Sequence, residues 1–143
     1  MKRFFLLTII LTVVVTGKVG AQEAASASKR ANQQYVLFES ERDKGTNVTA
    51  MYDYLMDSYE NFMKVVEAPD NSQYIGGAKN RLRALYPYLL NGAVYYSEQK
   101  QPSKALDFAA AYIDMPQLKL FRSELLPKDN RYASVVYYAC LLY

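Results

Sequence analysis

The chain has 143 residues, with 17 Lys and Arg against 14 Asp and Glu, 14 tyrosines, one cysteine and no histidine. Without histidine it lacks the commonest general base and the commonest metal ligand, and a single cysteine excludes an internal disulfide and a zinc site of thiolates and imidazoles. Its length suits one modest domain, and an apolar content of 51% suffices for an ordinary hydrophobic core.

Lys2 and Arg3 open the chain, and residues 4–15 (FFLLTIILTVVV) form an uncharged apolar run that Lys18 soon interrupts. Val19 and Ala21 stand three and one positions before Gln22, as small or apolar residues do ahead of a cleavage site. The pattern is that of a secretory signal peptide over residues 1–21. The run is shorter than the roughly 20 apolar residues that cross a bilayer, so no transmembrane span is expected once the leader is removed. No cysteine lies near the exit, and the lipid-modified form of the signal is not supported. The leader holds Lys2, Arg3 and Lys18 and no acid, so the mature chain is left with 14 bases and 14 acids. The basic balance belongs to the precursor and gives no argument for nucleic-acid binding.

In the mature part, residues 22–32 (QEAASASKRAN) read as a small, polar spacer or a fraying helix start. A helix is predicted over 33–44, ended by Gly45; Thr46, Asn47 and Thr49 offer N-caps for the next. In that helix, 49–68, Met51, Leu55, Phe62, Val65 and Val66, with Tyr52, Tyr59 and Met63, recur at three- and four-residue steps, and Asp53, Asp57, Glu60 and Lys64 fall between them. The segment 69–72 (PDNS) breaks it. Helix resumes near Gln73, with Gly76-Gly77 weakening its first turn and Pro87 bending or dividing it before 88–99. Pro102 stands where a first helical residue is expected, opening a helix to Asp114. Residues 115–130, with two prolines, read as a loop with a helical turn, and a last helix begins near Arg131. No alternating strand pattern occurs, and the predicted fold class is all-α.

One stretch is more specific. Tyr88, Gly92 and Tyr95 take the spacing of an aromatic, a small residue and a tyrosine on a first helix, and Phe108, Ala111 and Pro116 follow on a second. On these six positions residues 85–118 resemble a tetratricopeptide repeat. The resemblance implies antiparallel hairpins stacked as a short solenoid, in which Gly92 lets the two helices approach closely, Tyr88 and Tyr95 fill the seam beside it, and Phe108 and Ala111 interlock from the returning helix. Asn91 and Lys104 depart from it, standing where leucine and alanine are usual. Ser58, Phe62 and Val65 repeat the spacing of Lys104, Phe108 and Ala111, and Val135, Tyr138, Ala139 and Leu142 resemble the first helix of another hairpin. An export signal followed by Tyr-rich irregular repeats is similar to exported repeat proteins of Bacteroidetes-type bacteria. The chain closes inside an apolar run, whereas solenoids finish on a polar cap, so residues 22–143 are expected to form a repeat domain incomplete at its C-terminus.

No residue set carries evident chemistry. Asp53 and Asp57, one helical turn apart, flank an apolar stripe as its solvated edge, and Glu39 with Glu41 reads likewise. Gly76-Gly77 lacks the Lys-Ser or Lys-Thr of a phosphate loop. Cys140 reads as a small core residue, and Asn47-Val48-Thr49 as a helix cap. The expected function is a non-catalytic scaffold of the periplasm or outer membrane that holds a protein or peptide partner, with no cofactor and no metal. The resemblance implies a groove lined by Tyr86, Leu89, Ala93, Tyr96 and Ser97, although Tyr86 and Tyr96 fit a core or rim role equally. The alternatives are a structural or spacer region of a larger envelope protein and a glycan-binding repeat protein. The apolar C-terminal helix is in either case available for self-association.

Overall fold

A computed structural model describes the backbone of residues 2–122 and 131–142, and the side-chain surroundings of 20–122, 131–137, 139 and 141. Five α-helices follow in order: α1 (Lys2–Lys44), α2 (Val48–Glu67), α3 (Ile75–Glu98), α4 (Pro102–Asp114) and α5 (Tyr132–Leu142). Two 3-10 turns, Met115–Gln117 and Lys119–Phe121, follow α4. No strand occurs among the described residues, and among them no helix is long and apolar enough to cross a membrane. Consecutive helices pack on one another, α1 on α2, α2 on α3, α3 on α4 and α4 on α5.

The first hairpin corrects one expectation. Residues 22–32 are neither spacer nor frayed end but part of α1, with Ala24, Ala27 and Ala31 buried ahead of Tyr35 and Phe38. These residues recur at three- and four-residue steps and form one face of the helix. Their small side chains let α1 lie close on α2. A methyl group at Gly20 would come within 2.9 Å of Pro69 Cγ, and eleven residues on, the buried Ser58 hydroxyl donates to the Ala31 carbonyl at 3.0 Å. Moving from Gly20 to Ala31 thus moves from Pro69 back to Ser58, and the two helices are antiparallel.

The boundaries follow local chemistry. Gly45, at φ +65°, ends α1 in the left-handed conformation that glycine adopts without steric cost. Asn47 caps α2, its Oδ1 accepting from the Ala50 amide at 3.0 Å. At the far end the Asn71 amide donates to the carbonyls of Val65 and Val66, both at 3.0 Å, satisfying acceptors that the helix end leaves open. At Pro87 the helix is not divided, and α3 runs on from Ile75 to Glu98. Proline removes one ladder donor, which would have paired with the Arg83 carbonyl. Arg83 and Pro87 are both on the exposed side of α3, where water can serve that carbonyl. Leu85, Tyr86, Leu89 and Leu90 are buried around the proline and hold the helix together.

The turn between α3 and α4 takes three residues. Lys100, at φ 56°, is left-handed, with the Gln101 amide reaching back to the Tyr96 carbonyl at 2.9 Å and the Lys100 amide to Ser97 at 3.1 Å. This is the closure that glycine usually makes at a helix end. Pro102 then opens α4, whose end at Asp114 agrees with the sequence expectation. Residues 123–130 of the expected loop lie outside the described residues.

Candidate functional site

The surface in question is built on the second hairpin, and its geometry starts at Gly92. A methyl group there would lie no more than 3.0 Å from Cδ1, Cε1 and Cγ of Phe108. The bare glycine backbone is therefore the surface on which the α4 ring rests. Further along, the Tyr86 and Tyr112 rings stack at 4.6 Å and 12°. Glycine against Phe108 and Tyr86 against Tyr112 run in opposite chain directions, so α3 and α4 are antiparallel.

Tyr52 of α2 closes the seam from the other side, with ring centroids 5.0 Å from Tyr95, 5.8 Å from Phe108 and 6.2 Å from Tyr96. Edge-on and tilted aromatic contacts of this kind add to the area they bury. Tyr88 reaches the first hairpin, its ring 5.2 Å from Phe38 at 74°. Arg81 lies over the Tyr35 ring at 4.1 Å. Of the six repeat-defining positions, Gly92, Phe108 and Ala111 are buried, Tyr88 and Tyr95 are partly buried, and Pro116 lies in the 3-10 turn after α4.

The edge of this seam carries a polar network that sequence reasoning missed. The Tyr96 hydroxyl donates to Asp53 Oδ1 at 2.7 Å, and Lys104 Nζ meets the same oxygen at 2.8 Å while lying 4.8 Å from the Tyr96 ring centroid. Burial pushes the Asp53 carboxyl up, but the hydrogen bonds from Lys104 and Tyr96, with the lysine charge, outweigh it and hold the group below its ordinary value. Burial first, and then the bond to ionised Asp53, push the Tyr96 phenol well above its ordinary value. Thr49 Oγ1 and the Tyr95 hydroxyl pair at 2.6 Å beside them. Asp53 is thus a fixed anion rather than a proton donor near neutral pH. The one available sequence signal was Lys104 itself, a long cation where the repeat pattern calls for alanine. The other departure, Asn91, is exposed.

The five groove positions separate. Tyr86, Leu89 and Tyr96 are buried, at 4%, 0% and 0% exposure, and pack the hairpins rather than line an open wall. The helix turns these side chains toward α2 and α4, where the aromatic seam needs them. Ala93, itself buried, and the exposed Ser97 line a cleft of about 370 Å³ between α3, α4 and α5. Leu90, Val94, Ala105 and Ala109 form its walls, Val135 and Ala139 of α5 its far side, and Glu98 stands with Ser97 at its polar end. Val94 is 47% exposed at its rim. On α5 Tyr137 and Leu141 point outward, 63% and 62% exposed, while Val135 is buried. The expectations for Tyr138, Cys140 and Leu142 fall outside the described side chains. Among the described residues no group of three or more Asp, Glu, Cys or His is placed to hold a metal.

The chain matches no protein-family model, no curated protein and no solved structure.

Proposed function

We propose that the protein is a non-catalytic, exported helical-repeat scaffold whose consecutive hairpins present a cleft to a protein or peptide partner in the periplasm or at the outer membrane. The observation that carries the reading is that two successive antiparallel helical hairpins pack on one another. The hairpins α1–α2 and α3–α4 are both antiparallel, both pass through a short turn, and are joined by an aromatic seam across α2, α3 and α4. Helical-repeat proteins stack such units and bind along the surface that the stack creates. The spacing of Tyr88, Gly92, Tyr95, Phe108, Ala111 and Pro116 supports assigning the unit to the tetratricopeptide type. The apolar cleft beside Ala93, with Ser97 and Glu98 at one end, has the mixed lining that recognises an apolar side chain flanked by polar backbone.

A photoreactive amino acid at Val94, on the rim of the cleft, tests this in the native envelope. A discrete cross-linked protein obtained from Val94 but not from Glu60, on the exposed side of α2, is the expected result. Equal or absent cross-linking from both positions overturns the scaffold reading for this cleft.

A further inference from the structure

We propose that Arg81, in the seam where α3 lies beside α1, is a recognition point for a carboxylate side chain in an acidic segment of a partner protein. This surface is distinct from the cleft beside Ala93, and its role does not depend on that cleft. Tyr35 of α1 meets Arg81 of α3, and further along both helices Phe38 meets Tyr88. The two helices therefore run parallel along the seam. Tyr35 is buried, and its ring lies 5.9 Å from Phe38, so the floor beneath Arg81 is fixed by packing.

The Arg81 guanidinium lies 4.1 Å from the Tyr35 ring centroid. Contact through its face holds an arginine in place and leaves its edge unused, since the five N–H donors lie in the guanidinium plane. Among the described residues no carboxylate pairs with Arg81, Glu39 one turn beyond Tyr35 included. Arg42 at the other end of the seam differs. It sits 5.7 Å from the Phe38 ring, but Asp43 takes its charge at 2.9 Å. The helix around Arg81 leaves it uncovered. Gly77 and Ala84, four residues before it and three after, are exposed, and a methyl group at Gly77 would meet nothing within 4 Å.

The local charge points to the partner. No acid occurs in residues 71–97, which hold Lys79, Arg81 and Arg83, nor in residues 24–38, which hold Lys29 and Arg30. The acids gather instead on α2, where Asp53, Asp57, Glu60 and Glu67 stand against Lys64 alone. A basic seam draws an acidic segment toward it. A carboxylate then meets the fork of Arg81 through two parallel N–H···O bonds, a geometry that a lysine cannot supply. Held over a ring and partly buried, Arg81 suits a side chain that reaches in rather than a flat anionic bilayer.

The test uses the full chain with dye-labelled hexaglutamate, and hexaglutamine carrying the same dye, followed by fluorescence anisotropy. Hexaglutamate is expected to bind and hexaglutamine not. Arg81→Gln should weaken hexaglutamate binding about tenfold, and Arg81→Lys, which keeps the charge and loses the fork, about threefold or more. Arg122→Gln, which removes an exposed charge beyond α4, should leave it unchanged. Hexaglutamate ending in benzoylphenylalanine, photocross-linked to the unaltered chain, should mark residues 28–42 or 77–88, which keeps the test valid if Arg81→Gln does not fold. Equal binding of the two peptides, undiminished binding by Arg81→Lys, equal losses in Arg81→Gln and Arg122→Gln, or cross-links confined to other segments overturn the proposal. So does Arg81-dependent binding of phosphatidylglycerol vesicles in place of hexaglutamate, which would assign the surface to a membrane.

Discussion

Gly92 and Phe108 share one space: the ring of Phe108 occupies the position that a side chain on Gly92 would need. Both are buried, so neither can yield by turning into solvent. Gly92→Ala is therefore expected to destabilise the fold by about 1–3 kcal/mol through overpacking, even though alanine is the better helix former. Thermal unfolding measures the loss. Adding Phe108→Leu to the same chain should recover part of it, because the smaller side chain vacates the contested volume. An unchanged melting temperature in Gly92→Ala would rule out the close contact.

Lys100 gives an expectation of opposite sign. It holds a left-handed conformation in the α3–α4 turn with its amide bonded to Ser97, and a residue with a Cβ pays about 1–2 kcal/mol there. Lys100→Gly removes the penalty, less the greater freedom that glycine gives the unfolded chain. The expected outcome is a net gain of about 0.5–1 kcal/mol in urea unfolding. Lys100→Ala, which retains the strain, should give no comparable gain.

Tyr96 separates packing from polarity. Its side chain is fully buried, so Tyr96→Ala is expected to cost about 3–5 kcal/mol. Tyr96→Phe keeps the ring and gives up the hydroxyl's bond to Asp53 and the weaker one it accepts from Lys104, a loss of about 1 kcal/mol. The Asp53 carboxyl is held below its ordinary value, so its contribution is complete above the ordinary carboxylate range and fades as pH falls through the lowered value. Asp53 and Lys104 are both about half exposed, and solvent keeps the pair to less than about 1 kcal/mol. Comparing Asp53→Asn with the parent chain by urea unfolding should show a small deficit at neutral pH that vanishes in acid.

Tyr59 contributes on the alkaline side, alongside Tyr96 and Tyr52, whose phenols are also raised. Burial, and then the charges of Asp114, Glu67 and Glu60, push the Tyr59 phenol from 10.0 to about 12. Below the lower value the ring is neutral whether folded or unfolded, and its contribution is fully present. Between the two values the unfolded chain releases a proton that the folded chain retains, and stability falls by on the order of 1 kcal/mol per pH unit. Tyr59→Phe cannot ionise and should lose less stability than the parent over this interval. Parallel decline in both chains would show that Tyr59 titrates without hindrance.

The sequence by itself determined the helical class and most helix boundaries, because these depend on neighbours along the chain. The spacing of Leu55, Phe62 and Val65 marks the buried face of α2, Asn47 supplies its cap, Gly45 ends α1, and Pro102 starts α4. A close approach of two helices at Gly92 was also legible, since a missing side chain lets backbones near each other, whereas the seating of the Phe108 ring on that glycine was decided by the packing. Tertiary structure decided what depends on distant partners. The alanines of 22–32 resemble a spacer until α2 provides a surface that rewards small side chains, and Pro87 stays inside a helix because buried neighbours offset one lost hydrogen bond. Tyr86, Leu89 and Tyr96 carry no sequence mark separating core from groove, since tyrosine and leucine suit both. Their burial was fixed by α2 and α4 closing over them, and Ala93 and Ser97 were left beside the cleft.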